Sequence, residues 1–70
     1  MEMVSVNSSN IAAIGYDPDT AILTIQFNKG GVYEYYDVPS YEHDELMSAG
    51  SKGSYANQNI YKKYRQRKIG

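Results

Sequence analysis

Two hairpin signals in the first half of the chain limit its folds more than any other feature. Residues 17–20 read Asp-Pro-Asp-Thr, and a type I turn favours Asp and Pro at its first two positions. The runs on either side, residues 11–16 and 21–27, have the alternating pattern of half-buried strands. A four-residue turn places Ile14 opposite Leu23, so that both strands present their apolar side chains to one face.

The second turn, residues 28–31 (Asn-Lys-Gly-Gly), decides which side chains of the third strand face the core. A three-residue loop with Gly30 in the left-handed conformation places Tyr33 and Tyr35 on the apolar face. A two- or four-residue loop places Glu34 there instead, and burying an unpaired carboxylate is costly. The sequence therefore predicts that both tyrosines face the core and that Glu34 is exposed to solvent.

Helical signals follow the strands. After residues 38–39 (Val-Pro), we predict that Ser40 caps a helix that runs to residue 49 and stops at Gly50. Its acidic first turn suits the helix dipole. Its apolar side is predicted to carry Val38, Tyr41, Leu46 and Ala49.

A second helix is predicted after a connector at residues 51–53. Ser54 is its predicted cap, and Ala56, Ile60 and Tyr64 recur at helical spacing. Beyond residue 64 the chain is basic, and we expect it to be frayed. The alternation of valines near the start of the chain allows a further edge strand.

These elements predict one α+β domain over residues 1–70, with a core at 8–64 and a basic tail at 65–70. It comprises a three-stranded antiparallel meander followed by two C-terminal helices packed on one face. Seventy residues without cysteine have no disulfide framework. No apolar run approaches the ~20 residues that span a bilayer. We therefore expect a soluble, cytoplasmic protein with no membrane association.

The charges are divided along the chain. Residues 1–51 hold eight acidic side chains and one basic side chain, a net charge of −7. Residues 52–70 hold six basic side chains and no acidic one, a net charge of +6. Such asymmetry within a nearly neutral chain favours a polyanionic partner.

In order and spacing, several short segments together resemble the KTSC domain, a family named for its occurrence at the C-terminus of some lysyl-tRNA synthetases and also found in small stand-alone bacterial proteins. The segments are residues 8–11, 15–17, 23–27, 32–35, 38–39 and 51–57, then Ile60 and Tyr64. The resemblance implies no established activity, and the link to a tRNA synthetase suggests RNA binding. Many relatives are expected to have an aromatic residue at the position of Ala56.

Catalysis has little support in the residues. His43 is the only histidine, and we expect it on the exposed side of an acidic helix. Glu42, Asp44 and Glu45 are interpreted as a solvated helix N-terminus, because acidic residues favour the dipole there. No base accompanies the serines. We expect a non-enzymatic protein with no metal site and no cofactor.

The preferred hypothesis is non-catalytic binding of RNA, either single-stranded RNA or tRNA. The residues predicted to hold phosphates are Lys52, Lys62, Lys63, Arg65, Arg67 and Lys68. Tyr61 is predicted to stack on a base, and Asn57 is either a ligand or a structural link. Tyr33 and Tyr35 are either further stacking residues or half-buried core rings.

Two alternatives stay open. One is a protein-interaction module that presents exposed tyrosines and the acidic body to a partner. The other is a small-nucleotide binder that uses the backbone amides of the Lys52-Gly53 connector.

Overall fold

A five-stranded antiparallel sheet and two helices make up the computed structural model, which describes residues 2–70. In chain order the elements are β1 (Met3–Ser5), β2 (Ile11–Asp17), β3 (Ile22–Phe27), β4 (Val32–Tyr35), α1 (Ser40–Ser48), α2 (Lys52–Asn59) and β5 (Gln66–Lys68). The strands follow one another across the sheet as β1-β2-β3-β4-β5. The predicted α+β meander with two helices is confirmed, but the predicted strand count of three is wrong, because both ends of the chain add an edge strand.

The β2–β3 hairpin has the predicted faces in a different register. Ile14 lies opposite Ile25 rather than Leu23, and Asp17 lies opposite Ile22. Ala21 has a φ of 58°, so it belongs to the turn and not to the strand. The register is therefore shifted by two residues, and a shift of two leaves every side chain on its predicted face.

A β-bulge in β2 enlarges the core. The register shifts between Ile11 and Ala13, while Ile11 and Ile14 are both fully buried. Residues three apart face opposite sides of a regular strand, and the extra residue of a bulge lets both isoleucines point inward.

The β3–β4 hairpin confirms the predicted three-residue loop. Leu23 lies opposite Tyr35, and Ile25 lies opposite Tyr33. Gly30 has a φ of 99°, which is the left-handed conformation that the loop requires. Both tyrosines therefore share the core face, as predicted.

Glu34 lies on the opposite, outer face of the sheet. It is half-buried rather than fully exposed, since the Tyr36 hydroxyl donates a hydrogen bond to its carboxylate over 2.9 Å. The prediction for Glu34 was thus correct about the face and wrong about the degree of exposure.

Both helix starts differ from the prediction. Pro39 precedes α1, and Ser40, the predicted cap, is the first helical residue and makes no capping hydrogen bond. In α2 the Ser51 hydroxyl accepts from the Ser54 amide, so that Ser51 is the cap and the predicted cap, Ser54, lies inside the helix. Lys52 therefore lies in the first turn of α2 and not in a connector.

The core lies between the sheet and the two helices. Its fully or nearly fully buried members are Ile11, Ile14, Leu23, Ile25, Tyr35, Val38, Leu46, Ala56 and Ile60. The predicted burial of Ala56 and Ile60 is confirmed, whereas Tyr41, predicted on the apolar side of α1, is 60% exposed. No helix within residues 2–70 is long and apolar enough to cross a membrane.

Candidate nucleic-acid interface

The basic C-terminal segment is an ordered edge strand, and the prediction of a frayed tail is wrong. Arg67 lies opposite Glu34 in β4, and Lys68 lies opposite Tyr33. The Tyr36 amide also donates to the Arg65 carbonyl over 2.9 Å. The free edge of β4 satisfies its backbone groups with β5, and this pairing needs no apolar side chain in β5.

Pairing with β4 divides the cations of this segment between the two sides of the sheet edge. Gln66 and Lys68 share the face of Tyr33 and Tyr35, because residues directly opposite on antiparallel strands share a face. Arg67 lies on the outer face. The Arg65 guanidinium is also near an aromatic ring there, 5.4 Å from the centre of the Tyr36 ring.

A shallow pocket of about 420 Å³ opens on the core side of this edge. Its lining residues are Asn10, Phe27, Gly30, Tyr33, Tyr35, Tyr61 and Gln66. Phe27 meets Tyr33 edge to face at 5.7 Å, and Tyr35 stacks on Tyr61 at 6.0 Å. We call this site the aromatic pocket. It brings together the three predicted stacking tyrosines, which lie on two separate elements of the sequence.

One hydroxyl in the aromatic pocket has no partner. The Tyr61 oxygen is buried and makes no hydrogen bond to any residue from 2 to 70. Burial raises the pKa of Tyr61, and burial followed by the neighbouring tyrosines raises the pKa of Tyr35. Both phenols are therefore neutral at physiological pH, and the Tyr61 O–H can donate as well as accept.

Lys68 lies at the rim of the aromatic pocket. A Cβ built on Gly31 would lie 3.5 Å from the Tyr33 ring and 3.8 Å from the Lys68 side chain. The lysine stem therefore passes over Gly31 beside the ring. The pocket lining contains no charged residue, so the charge near it is that of Lys68.

Lys63 and Tyr64, from the same C-terminal segment, belong to a separate cluster around Glu42. The Lys63 ammonium lies 3.3 Å from the carboxylate, the Tyr64 hydroxyl donates to it over 2.9 Å, and the Tyr55 hydroxyl donates as well. Glu42 is only 2% exposed, so the prediction that it is a solvated helix N-terminus is wrong. Glu42 is instead the polar link between α1, α2 and the turn after α2.

The electrostatics of this cluster keep Glu42 ionised. Burial alone raises the pKa of a carboxyl, but the hydrogen bonds from Tyr55, Tyr64 and Lys63 outweigh it and lower the pKa of Glu42. The bond to Glu42 also raises the pKa of Lys63. A charged carboxylate is thus held by three donors inside the protein.

The other predicted site residues lie away from the aromatic pocket lining. Lys62 and Asn57 are exposed, and Asn57 makes no side-chain hydrogen bond with the residues that the structure describes. The Lys52 ammonium donates to the Ala49 carbonyl at the end of α1. Gly53 packs closely on the loop before β2, where a Cβ would lie 3.5 Å from Asn10. A Cβ at Gly53 would thus make only ordinary van der Waals contact with this loop.

His43 is less exposed than expected. Its ring stacks on Tyr16 at 4.9 Å, and the Tyr16 hydroxyl donates to the Val38 carbonyl. The sequence offered no signal for this contact, because the two rings are far apart in the chain. The histidine therefore helps to hold α1 on the sheet.

Comparison with known proteins identifies the family. The KTSC domain model matches residues 7–64, most of the chain. The chain belongs to the KTSC domain family. A crystal structure of a KTSC domain protein from Yersinia pestis has the same fold, with a TM-score of 0.96 and 46% sequence identity over 99% of this chain and 97% of that one.

Relatives of this KTSC domain are both small and large. A protein from Tsukamurella paurometabola is 41% identical over 63 residues, which cover 90% of this chain and 94% of the relative. A lysine–tRNA ligase from Nostoc sp. is 40% identical over 58 residues, which cover 83% of this chain and 10% of the ligase. The KTSC domain thus corresponds to about a tenth of the ligase.

Proposed function

We propose that this KTSC domain is a non-catalytic RNA-binding module and that RNA lies along the β5 edge. The observation that carries the proposal is the conversion of the basic segment into an edge strand beside the aromatic pocket. Phosphates would contact Arg65, Arg67 and Lys68 on this edge, with Lys62 contributing from the preceding turn. Rings beside such a cationic strand are the usual means of holding unpaired bases.

The charge distribution supports this proposal. Within residues 2–70, the one ion pair between the acidic body and the basic segment is that of Lys63 with Glu42. Lys62, Arg65, Arg67 and Lys68 are exposed and make no ion pair with residues 2–70, so a polyanion can reach them. In this proposal Lys63 contributes mainly to stability, although its side chain is still 55% exposed. Lys52 and Asn57 would contribute only through RNA that extends beyond the edge.

The family supports RNA as the polyanion. Some relatives are lysine–tRNA ligases, enzymes whose name specifies tRNA as a substrate. A domain that holds RNA by its phosphates and by unpaired bases suits a tRNA, which offers both. Single-stranded RNA offers the same groups without the folded shape.

An NMR titration with tRNA, a random single-stranded RNA oligonucleotide and a mononucleotide, each at two salt concentrations, tests the proposal. We expect both RNAs to shift the amide signals of residues 62–68 and to bind more weakly at the higher salt concentration. If neither RNA shifts these signals at low salt, the proposal is wrong. Shifts confined to residues 51–54 with the mononucleotide would favour the small-nucleotide alternative.

One observation favours a second function, protein interaction. Met3 and Val4 of edge strand β1 are 40% and 49% exposed, and an uncovered apolar edge can pair with a strand of another chain. This edge is at the opposite side of the sheet from β5. The same NMR titration separates the two functions, because RNA should leave the signals of residues 3–5 unchanged.

A further inference from the structure

The aromatic pocket has the features of a site for a flat, neutral molecule with hydrogen-bonding edges. Its walls are ring faces and edges of four aromatic residues. Asn10 and Gln66 contribute amide groups, each of which has donors and an acceptor. The Tyr61 hydroxyl is buried and has no partner among residues 2–70, so a polar ligand atom that reaches it through a small shift of the side chain would satisfy it. A volume of about 420 Å³ lies in the range of small-ligand sites.

Two other kinds of ligand fit less well. A quaternary ammonium would favour the ring faces, but no carboxylate lines the pocket and the Lys68 stem lies at its rim, so a cation would be repelled. A purely apolar side chain would fill the space but would cover the exposed amides of Asn10 and Gln66 without replacing their hydrogen bonds to water, which is costly.

We propose that the aromatic pocket is a nucleobase site that receives one unstacked base of the bound RNA. The base lies against the rings of Tyr33 and Tyr61, and its edge bonds to Tyr61, Asn10 and Gln66. Its phosphate reaches the Lys68 ammonium at the rim. This inference rests on the proposed function, and it explains why the positive strand and the aromatic pocket share one edge of the sheet.

Binding of small fragments tests the site in the intact protein. The probes are AMP, adenosine, ribose 5-phosphate, tyrosinamide and tetramethylammonium, each followed by NMR. We expect AMP and adenosine to shift the backbone amides of Gly30 and Tyr61 and the side-chain amides of Asn10 and Gln66. Ribose 5-phosphate, which lacks the base, should bind at least about tenfold more weakly than AMP, as expected where base stacking dominates the affinity.

A single-atom variant tests the hydroxyl. Tyr61→Phe keeps the ring and should lower AMP affinity about fivefold, the effect of one net hydrogen bond. Lys68→Gln should weaken the binding of AMP but not that of adenosine, because only AMP carries a phosphate. The matched control is Tyr36→Phe, which removes a hydroxyl from the outer face of the sheet and should leave the affinity unchanged.

Three results would overturn the nucleobase site. They are an absence of AMP-induced shifts at the four pocket positions, an equal affinity for AMP and ribose 5-phosphate, and an equal or higher affinity for tetramethylammonium or tyrosinamide. The RNA-binding proposal fails separately. If Tyr61→Phe leaves RNA binding unaffected and AMP does not bind, the RNA-binding proposal stands and the nucleobase site is excluded. If AMP binds and no RNA binds, the pocket is still a nucleobase site and the RNA-binding proposal is wrong.

Discussion

The Glu42 cluster and the aromatic pocket both contain tyrosine and lysine, but within the described part of the chain the polar groups of these residues have partners in the cluster and none in the pocket. In the cluster, the hydroxyls of Tyr55 and Tyr64 and the ammonium of Lys63 all converge on one buried carboxylate. In the aromatic pocket the Tyr61 hydroxyl has no partner among residues 2–70. Lys68, at the rim, has no ion pair with any described residue.

The difference shows how a tyrosine–lysine pair acquires its role. Where the fold provides a carboxylate, the donors are satisfied internally and the pair stabilises the domain. Where the fold provides only aromatic walls, the Tyr61 hydroxyl has no partner among residues 2–70, and we propose that a ligand supplies one. Both pairs, Lys63 with Tyr64 and Tyr61 with Lys68, lie within residues 61–68, and the carboxylate partner of the first pair distinguishes them.

The largest effect should come from the core residue that lies between these two regions. Ile60 is fully buried, and its neighbour in the chain is the pocket residue Tyr61. Ile60→Ala should cost about 2–5 kcal/mol. The core of a domain of this size supplies about 3–5 kcal/mol, so the variant should be largely unfolded. Thermal unfolding followed by circular dichroism measures this, and a melting temperature lowered by only a degree or two would contradict it.

Removing the Glu42 charge should destabilise the fold and leave RNA binding unchanged. Glu42→Gln should cost about 1–3 kcal/mol of unfolding free energy, since three donors lose a charged acceptor. The RNA affinity of the folded protein should be unchanged. Urea denaturation measures the unfolding free energy. RNA affinity is measured at a temperature at which the variant is folded. The control is Glu45→Gln, because Glu45 is exposed and accepts only a longer bond from Tyr55. Equal destabilisation by both variants would contradict a special role for Glu42.

The same carboxyl should make stability depend on acid pH. The folded-state pKa of Glu42 is lowered from its ordinary value of 4.5. Its contribution is therefore fully present above about pH 5 and is lost as the pH falls through the lower, folded-state pKa. Urea denaturation of wild type and Glu42→Gln from pH 7 to pH 3 should show a smaller loss of stability in the variant. Parallel pH profiles for the two proteins would contradict this.

How far the sequence predicted these regions depends on whether the signal was local. The β3–β4 register followed from the turn glycines and the cost of burying Glu34, both visible within a few residues. In β2–β3 the faces were correct and the register was not, because nothing in the sequence marked Ala21 as a left-handed turn residue. Local chemistry therefore predicted the face of each strand better than its register.

The β5 edge and the Glu42 cluster could not be predicted from local sequence signals. β5 has three polar residues and no alternation, and it exists because the edge of β4 was free to pair. Glu42 looked like any acidic residue in the first turn of a helix, while its tyrosine partners are 13 and 22 residues away. The basic segment and its tyrosines were predicted as a candidate interface, but their division between a stabilising cluster and an open pocket required the fold.

A matched pair of lysines gives the smallest and most specific effect. Lys68→Gln should make the slope of log K against log[salt] less negative by about 0.7, as expected for the loss of one phosphate contact to single-stranded RNA. Lys63→Gln should leave that slope nearly unchanged and should lower the melting temperature, because Lys63 contacts Glu42. Fluorescence anisotropy with labelled RNA and thermal unfolding of both variants provide the two readouts. An exchange of these effects between the two lysines would contradict the assignment of Lys68 to RNA binding and of Lys63 to stability.

The position of RNA along the β5 edge is tested most directly by the salt dependence of RNA binding in one variant. Four phosphate contacts predict a slope of about −3 for single-stranded RNA and wild-type protein. Replacing Lys62, Arg65, Arg67 and Lys68 together by Gln should bring the slope close to zero, while circular dichroism shows an unchanged fold. An unchanged slope in that variant, or no binding of wild-type protein to any RNA at low salt, would contradict the claim.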